Sequence, residues 1–323
     1  MTQNGHFTAH DERRLVIAGG SGFLGRAAAR HFSSRGWDVV LVSRSRPAHT
    51  TPARWVPWDG VRQDAWAREI DGAAAVLNLA GRTVNCRYNA RTMLEIYTSR
   101  LASTRALGRA IRDSAAPPPV WLNSSTATIY RDARDGPQSE SGEIGAGFSV
   151  DVALRWEAAL MEEMLPHTRR VALRTAMVYG VGTGGVMETT DRVVRLGGAG
   201  AMAGGSQRVS WIHETDFCRA LEFLIASELS GPVNVCSPEP LPNNEFLRAY
   251  RKAWRMPLGL PSAAALIQVG ARIMNSEAEL LLKSRWVWPG RLLDAGFEFL
   301  YPTWENAIHA LVQEARLKGH HTR

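Results

Sequence analysis

A doubly wound α/β fold, a parallel sheet with a smaller, mainly helical C-terminal lobe, is what this sequence predicts, and three observations predict it. Residues 13–25 read R-R-L-V-I-A-G-G-S-G-F-L-G, an apolar run followed at once by Gly19, Gly22 and Gly25 at intervals of three. Short apolar stretches then alternate with helical ones as far as residue 236, the pattern of βαβ units. Beyond that point the chain reads as almost wholly helical.

The opening stretch organises the rest. Leu15, Val16 and Ile17 have the continuous apolar character of a strand buried on both faces. Glycines after such a strand let the backbone turn sharply and approach a pyrophosphate, whose charge then meets the first amides of the following helix. Gly19, Gly20, Ser21, Gly22, Phe23 and Leu24 are therefore the expected cradle of a dinucleotide. A helix over 26–35, stopped at Gly36, leads to a second strand over 37–42. The tip of that strand, Ser43-Arg44-Ser45-Arg46, carries no acid. A carboxylate there would serve a ribose 2′-hydroxyl and repel a 2′-phosphate. Ser43 can hydrogen-bond a phosphate and Arg44 can pair with it or stack on adenine, so NADP(H) is favoured over NAD(H).

Residues 54–59 read as an edge-like third strand, because Pro57 cannot donate to a ladder. Asp59 at its end is either an acceptor for the adenine amino group or a turn residue. A fourth strand over 73–79 precedes Ala80-Gly81, small enough for the backbone to lie against a ribose. Residues 91–111 form a long helix, with Met93, Leu94, Tyr97, Leu101, Leu107 and Ile111 at helical spacing and Glu95 and Arg100 among them. Three prolines at 117–119 stop the chain before a fifth strand over 120–123, which runs into S-S-T-A-T-I-Y at 124–130.

An exposed loop over 131–147, a helix over 149–164 and a sixth strand over 170–175 follow. Residues 180–205 carry nine glycines and suit a segment that covers substrate. Residues 209–216 enter a helix over 217–227, and 232–236 is a further strand. Helices are expected over 243–254, 263–274, 277–286, 289–295 and 304–315. The division that follows is a disordered tail (1–12), a dinucleotide domain (13–180 with 206–236), a helical lobe (181–205 and 237–317) and a second tail (318–323).

Composition limits the function classes. The 38 basic residues give a net charge of +7 but are dispersed, with no basic run interleaved with aromatics, so no nucleic-acid partner is expected. The charge suits an anionic cofactor or substrate instead. Cys86, Cys218 and Cys236 lie far apart without metal spacing, and read as reduced thiols of a cytoplasmic protein that holds no metal. Residues 1–12 are polar, and the apolar stretch 258–273 is interrupted by Pro261 and Gly270, so no membrane partner is expected. The expected partner is a small-molecule substrate, and the expected state a monomer or homodimer.

Several motifs add a resemblance. G-G-S-G-F-L-G (19–25) is similar to the nucleotide loop of extended short-chain dehydrogenase/reductases, and S-S-T-A-T-I-Y to the end of their fifth strand. Those enzymes continue with a Tyr-x-x-x-Lys helix. Counting back from Glu157, the Tyr position falls on Ser149 and the Lys position on Ala153, and the chain contains no Tyr-x-x-x-Lys at all. R-W-E-A-A (155–159), W-I-H (211–213), the run 231–246 and P-G-R-L-L-D-A-G-F-E-F (289–299) resemble an atypical group of that superfamily, the epimerase-family proteins with a C-terminal helical domain. The resemblance implies a Rossmann-type fold and NADP(H). It places Glu95 and Arg100 along the cofactor, Leu79 and Ala80 on its adenosine side and Val178 beside the nicotinamide; Ser124 completes the expected cofactor set.

Thr126 takes the position of the hydroxyl that bonds a substrate carbonyl or alcohol. With the usual pair missing, Tyr130 is the first candidate for moving the proton, and Cys86, Tyr88 and His213 are others. The expected function is an oxidoreductase or epimerase-like enzyme on a small polar substrate. The alternative is a protein that binds NADPH without turnover, as a sensor or regulator.

Overall fold

The computed structural model describes residues 13–47, 51–261 and 282–320. Seven parallel strands form the main sheet in the order β10-β6-β5-β4-β1-β2-β3. They are β1 (Arg14–Ala18), β2 (Asp38–Ser43), β3 (Arg54–Pro57), β4 (Ala75–Asn78), β5 (Val120–Thr126), β6 (Arg169–Thr175) and β10 (Gly231–Val235). β1 lies at the centre: Val16 pairs with Val40 of β2 on one side and Val76 of β4 on the other. Strands buried on both faces need no polar alternation, which is why Leu15, Val16, Ile17 and Ala18 are all fully covered. The order reverses direction between β1 and β4, and a ligand crevice opens outside the carboxyl ends of the strands at such a point.

Helices cover both faces. α1 (Phe23–Ser33) and α5 (Glu214–Ala226) pack on one side, where Phe32, Phe217 and Leu221 join Leu15, Leu41 and Leu122. α2 (Ala90–Arg112) and α3 (Phe148–Met161) lie on the other, with Leu107, Ile111 and Leu160 against Val16, Val76 and Trp121. A third core is built around Trp304 at the start of α8 (Trp304–His320). The rings of Tyr179, Trp211, Phe246 and Tyr250 surround it, and its indole donates to the Phe246 carbonyl at 3.0 Å. Short strands frame this core: β7 (Met177–Tyr179) pairs with β9 (Trp211–His213), and β8 (Arg208–Val209) with β11 (Leu241–Pro242). α4 (Val186–Arg195) and α6 (Asn243–Trp254) complete it, and α7 (Gly290–Asp294) packs beside β10.

Several boundaries differ from the sequence reading. α1 starts at Phe23 rather than residue 26, so Gly22 is its N-cap and the glycine turn passes into the helix without a spacer. The nine-glycine stretch, to which the sequence reading assigned no helix, contains α4. The 131–147 segment has no helix or strand yet is tied down. Arg174 of β6 donates to the Glu140 carbonyl, and the Glu140 carboxylate accepts the Asn234 amide at 2.9 Å. The end of the helix expected over 277–286 is irregular from Lys283 onward, and the helix expected over 263–274 and both terminal tails up to residue 12 and from 321 lie outside the described residues. α8 runs to His320, through part of the expected second tail.

Candidate functional site

A cleft of about 440 Å³ opens where the strand order reverses. Its floor is the glycine turn. Gly19 has φ +76°, and a Cβ there would stand 2.7 Å from the Ala80 nitrogen. A Cβ on Gly20 would come within 2.5 Å of Leu41, and one on Gly25 within 2.5 Å of the Gly20 Cα. These three glycines serve close packing of the chain against itself. Gly22 differs: the nearest atom to a Cβ there is the Gly19 carbonyl oxygen at 3.5 Å. Gly19, Gly22, Phe23 and Leu24 line the cleft, whereas Gly20 and Ser21 are not among its lining residues. No acid occupies the first turn of α1, so its amides offer an undiminished positive end to an anion.

One wall is the end of β4. Asn78 accepts the Ala80 amide at 3.0 Å and is itself buried with Asn123, to which it donates at 2.6 Å. Thr104 and the Trp156 indole close this polar knot, the indole donating to Thr104 at 3.0 Å. The knot holds Leu79, Ala80 and Gly81 along the cleft, backbone first. Arg100 of α2 joins them there: its guanidinium lies 4.9 Å over the Trp156 ring and donates to the Arg82 carbonyl at 3.0 Å and the Ile96 carbonyl at 3.2 Å. Burial pulls its pKa down to about 10, so it is a cation at neutral pH. Glu95 is not a lining residue; its carboxylate is shared between Arg82 and Arg91, which holds it below the usual carboxylate range.

The far wall carries the hydroxyls. Ser124, Ser125 and Thr126 end β5, and Ser149, Val152 and Trp156 present the 149/152/156 face of α3. Thr126 Oγ1 accepts the Thr128 amide at 3.1 Å, so its O–H proton is what it can offer a substrate oxygen. Ser125 donates to Glu157 at 2.5 Å. Val178 of β7 lines the cleft beside Met177. Above the start of α1, Gly184, Gly185 and Val186 close the opening: Arg26 donates to the Thr183 carbonyl at 2.7 Å, and Phe23 lies against Gly185.

Three expectations need correction. Tyr130, the first candidate for the proton, is 2% exposed and not among the lining residues. Its hydroxyl donates to Asn234 at 2.7 Å and accepts from Arg174 at 2.9 Å, and burial pushes its pKa up to about 12. His213 caps α5, its Nδ1 accepting the Thr215 amide at 3.0 Å while its ring stacks 3.9 Å from Tyr301; burial brings its pKa down to about 4. Ser43 turns inward, donating to the Ser45 carbonyl at 2.8 Å and accepting the Trp55 indole at 3.1 Å, whereas Arg44 is exposed at the tip of β2. Asp59 accepts the Val61 and Arg62 amides at 2.8 Å each, the turn role of its two readings. Sequence reasoning missed Trp156, for which the 149/152/156 helical spacing is the available signal.

Among the described residues no group of three or more His, Cys, Asp or Glu could hold a metal ion, and no helix is long and apolar enough to cross a membrane. All three cysteines are free and buried. The dinucleotide fits the residues present, since Gly22, the glycine of the turn at which a Cβ would have no neighbour nearer than 3.5 Å, lines the cleft at a helix N-terminus.

Comparison with known proteins agrees with this geometry. Residues 15–236 match the NAD dependent epimerase/dehydratase family, and residues 271–311 match a domain of unknown function, DUF1731. The chain is 31% identical over 307 residues to the epimerase family protein SDR39U1 of Bos taurus, covering 93% of this chain and 99% of that one. It is 30% identical over 298 residues to the epimerase family protein MT2273 of Mycobacterium tuberculosis, covering 91% and 96%. The crystal structure of human SDR39U1 (isoform 2) with NADPH superposes with a TM-score of 0.82 at 28% identity, covering 93% of this chain and 99% of that one.

Proposed function

The chain belongs to the NAD dependent epimerase/dehydratase family, and from that premise we propose that it is an NADP(H)-dependent oxidoreductase or epimerase-like enzyme acting on a small polar substrate. The observation that carries this reading is the open side of Gly22, set at the positive end of α1 and facing the cleft. The human relative crystallised with NADPH supports the phosphorylated dinucleotide, and so does the β2 tip, with Arg44 and no acid at 43–46.

In this reading the amides of Gly22, Phe23 and Leu24 hold the pyrophosphate, and Arg44 pairs with the 2′-phosphate. Leu79, Ala80 and Gly81 meet the adenosine ribose, and Val178 bounds the nicotinamide side. Arg100 supplies a fixed positive charge along the same wall, and Glu95 orients Arg82 beside it. The bound dinucleotide supplies or accepts hydride. Thr126 donates its O–H to the substrate oxygen, aligning the carbonyl and stabilising charge that develops there. Trp156, Val152 and Phe148 shield the reacting end from water.

Calorimetry on stripped protein with NADPH and NADH, followed by loss of dihydronicotinamide absorbance against a panel of carbonyl compounds, tests the proposal. Tight NADPH binding with turnover is the expected result. Binding without turnover on any compound would favour the sensor reading, and heat from neither coenzyme would overturn both.

A further inference from the structure

Residues 182–185 read Gly-Thr-Gly-Gly and cross the mouth of the cleft between two buried anchors. Tyr179 of β7 before them and Met187 of α4 after them are both sealed in the Trp304 core, so the two ends of the span are fixed. At its root Gly180 lies against the Glu214 carboxylate, to which Arg30 of α1 donates at 2.9 Å. The span itself is different. Gly182, Thr183 and Gly184 are exposed, while Gly184 and Gly185 line the cleft. Three of its four residues have no side chain to pack, and chain of that kind is held by whatever reaches it from outside.

What reaches it comes from α1. The Arg26 guanidinium donates through Nη2 to the Thr183 carbonyl at 2.7 Å, and through Nη1 to the Ser21 carbonyl in the glycine turn. Among the described residues, every hydrogen bond from this span to the glycine turn or α1 is made by Arg26. The Phe23 ring supports the same span: a Cβ on Gly182 or Gly185 would stand 3.5 or 3.3 Å from it. Gly184 holds φ +81°, a bend that an L side chain rarely takes, and its amide donates to Glu188 at 2.8 Å. Arg26 itself is not among the residues that line the cleft. It spends its donors on two protein carbonyls and ties the span to the glycine turn from outside.

We propose that residues 182–185 are a lid over the coenzyme and that Arg26 is its latch, so that the dinucleotide enters and leaves only while the Arg26–Thr183 bond is open. The inference rests on the dinucleotide reading above and is independent of turnover. A latch differs from a phosphate-binding side chain in its kinetic consequence. A guanidinium that pairs with a coenzyme phosphate speeds capture and slows escape. A latch between two parts of the protein holds the lid shut with or without coenzyme, and so slows both passages alike. The glycines suit this part, because a span without side chains swings aside at little cost in packing, and its buried ends return it to the same place.

Stopped-flow NADPH fluorescence on the full chain separates the two roles. Arg26→Met should raise the association and dissociation rates together, about tenfold each, and leave Kd within about threefold. Gly184→Ala is a second variant that keeps the arginine. No atom lies within 4 Å of a Cβ there, so it meets no clash, yet its left-handed backbone is disfavoured and the closed lid with it. It should raise both rates as well. Hydrogen exchange over residues 181–186 of the coenzyme-free protein should quicken in both variants, with β1 unchanged. A faster dissociation with an unchanged or slower association in Arg26→Met would overturn the proposal and assign the guanidinium to a coenzyme phosphate. Unchanged rates in both variants would overturn it too. Failure of the unaltered protein to bind NADPH would instead overturn the dinucleotide reading, a result that no change in rates imitates.

Discussion

Tyr130 donates its hydroxyl proton to Asn234 Oδ1 at 2.7 Å, a bond that joins the end of β5 to β10 at the edge of the sheet. Arg174 donates to the Tyr130 hydroxyl oxygen at 2.9 Å and grips Glu157 with two further bonds of 2.9 and 2.8 Å. Tyr130→Phe would leave a buried amide oxygen and a buried guanidinium each short of a partner, at a cost of about 1–3 kcal/mol. Urea denaturation should show that loss, and NADPH titration of the same variant should show unchanged affinity.

The glycines of the turn separate into structural and ligand-facing positions. Gly19→Ala forces a left-handed residue into the Ala80 backbone and should destabilise the protein by about 1–3 kcal/mol or more. A Cβ at position 22 meets only the Gly19 carbonyl oxygen, at 3.5 Å, so Gly22→Val should fold with a melting temperature close to that of the parent, while NADPH binding is lost. Thermal melts and calorimetry on the two variants should give opposite patterns.

Arg44 is exposed at the end of β2, where a charge-assisted bond to a 2′-phosphate is worth about 1.5–3 kcal/mol. Arg44→Glu should therefore weaken NADPH by about ten- to a hundredfold relative to NADH. Equal losses for both coenzymes in a binding titration would show that this arginine does not read the phosphate.

His213 makes stability depend on pH. Its folded pKa of about 4 lies below the unfolded value of about 6.5, so the unfolded chain binds a proton that the native protein refuses. Its contribution is complete above the unfolded value and falls away as pH drops through the window from 6.5 to 4, by about 3 kcal/mol in all. His213→Asn keeps a side-chain acceptor for the Thr215 amide and should flatten that part of the profile. Urea midpoints measured across the window check the slope.

Much of the site was legible in the linear order of residues. A strand, three spaced glycines and a helix can be arranged in few ways, because short-range sterics dictate where the turn lies and which amides it exposes. The absence of an acid at the tip of β2 is equally local, but the inward turn of Ser43 toward Ser45 and Trp55 is not, because Trp55 reaches it only once β3 pairs with β2. The start of α1 at Phe23 was misplaced by one turn because Gly25, a poor helix former, is accepted for its closeness to Gly20.

What the sequence by itself determined is the sheet, its glycine turn and the kind of cofactor that suits them, because periodicity and backbone sterics act over a few residues. Which tyrosine lines the cleft was decided by the tertiary structure alone. Tyr130 follows the β5 motif directly, yet it turns away because Asn234, 104 residues further on, completes its hydrogen bond in the core. Tyr88 carries no comparable local signal, and reaches the cleft because Phe148, sixty positions later, gives its ring a surface to pack on. Side-chain direction depends on partners distant in the chain, and only the folded molecule brings them together.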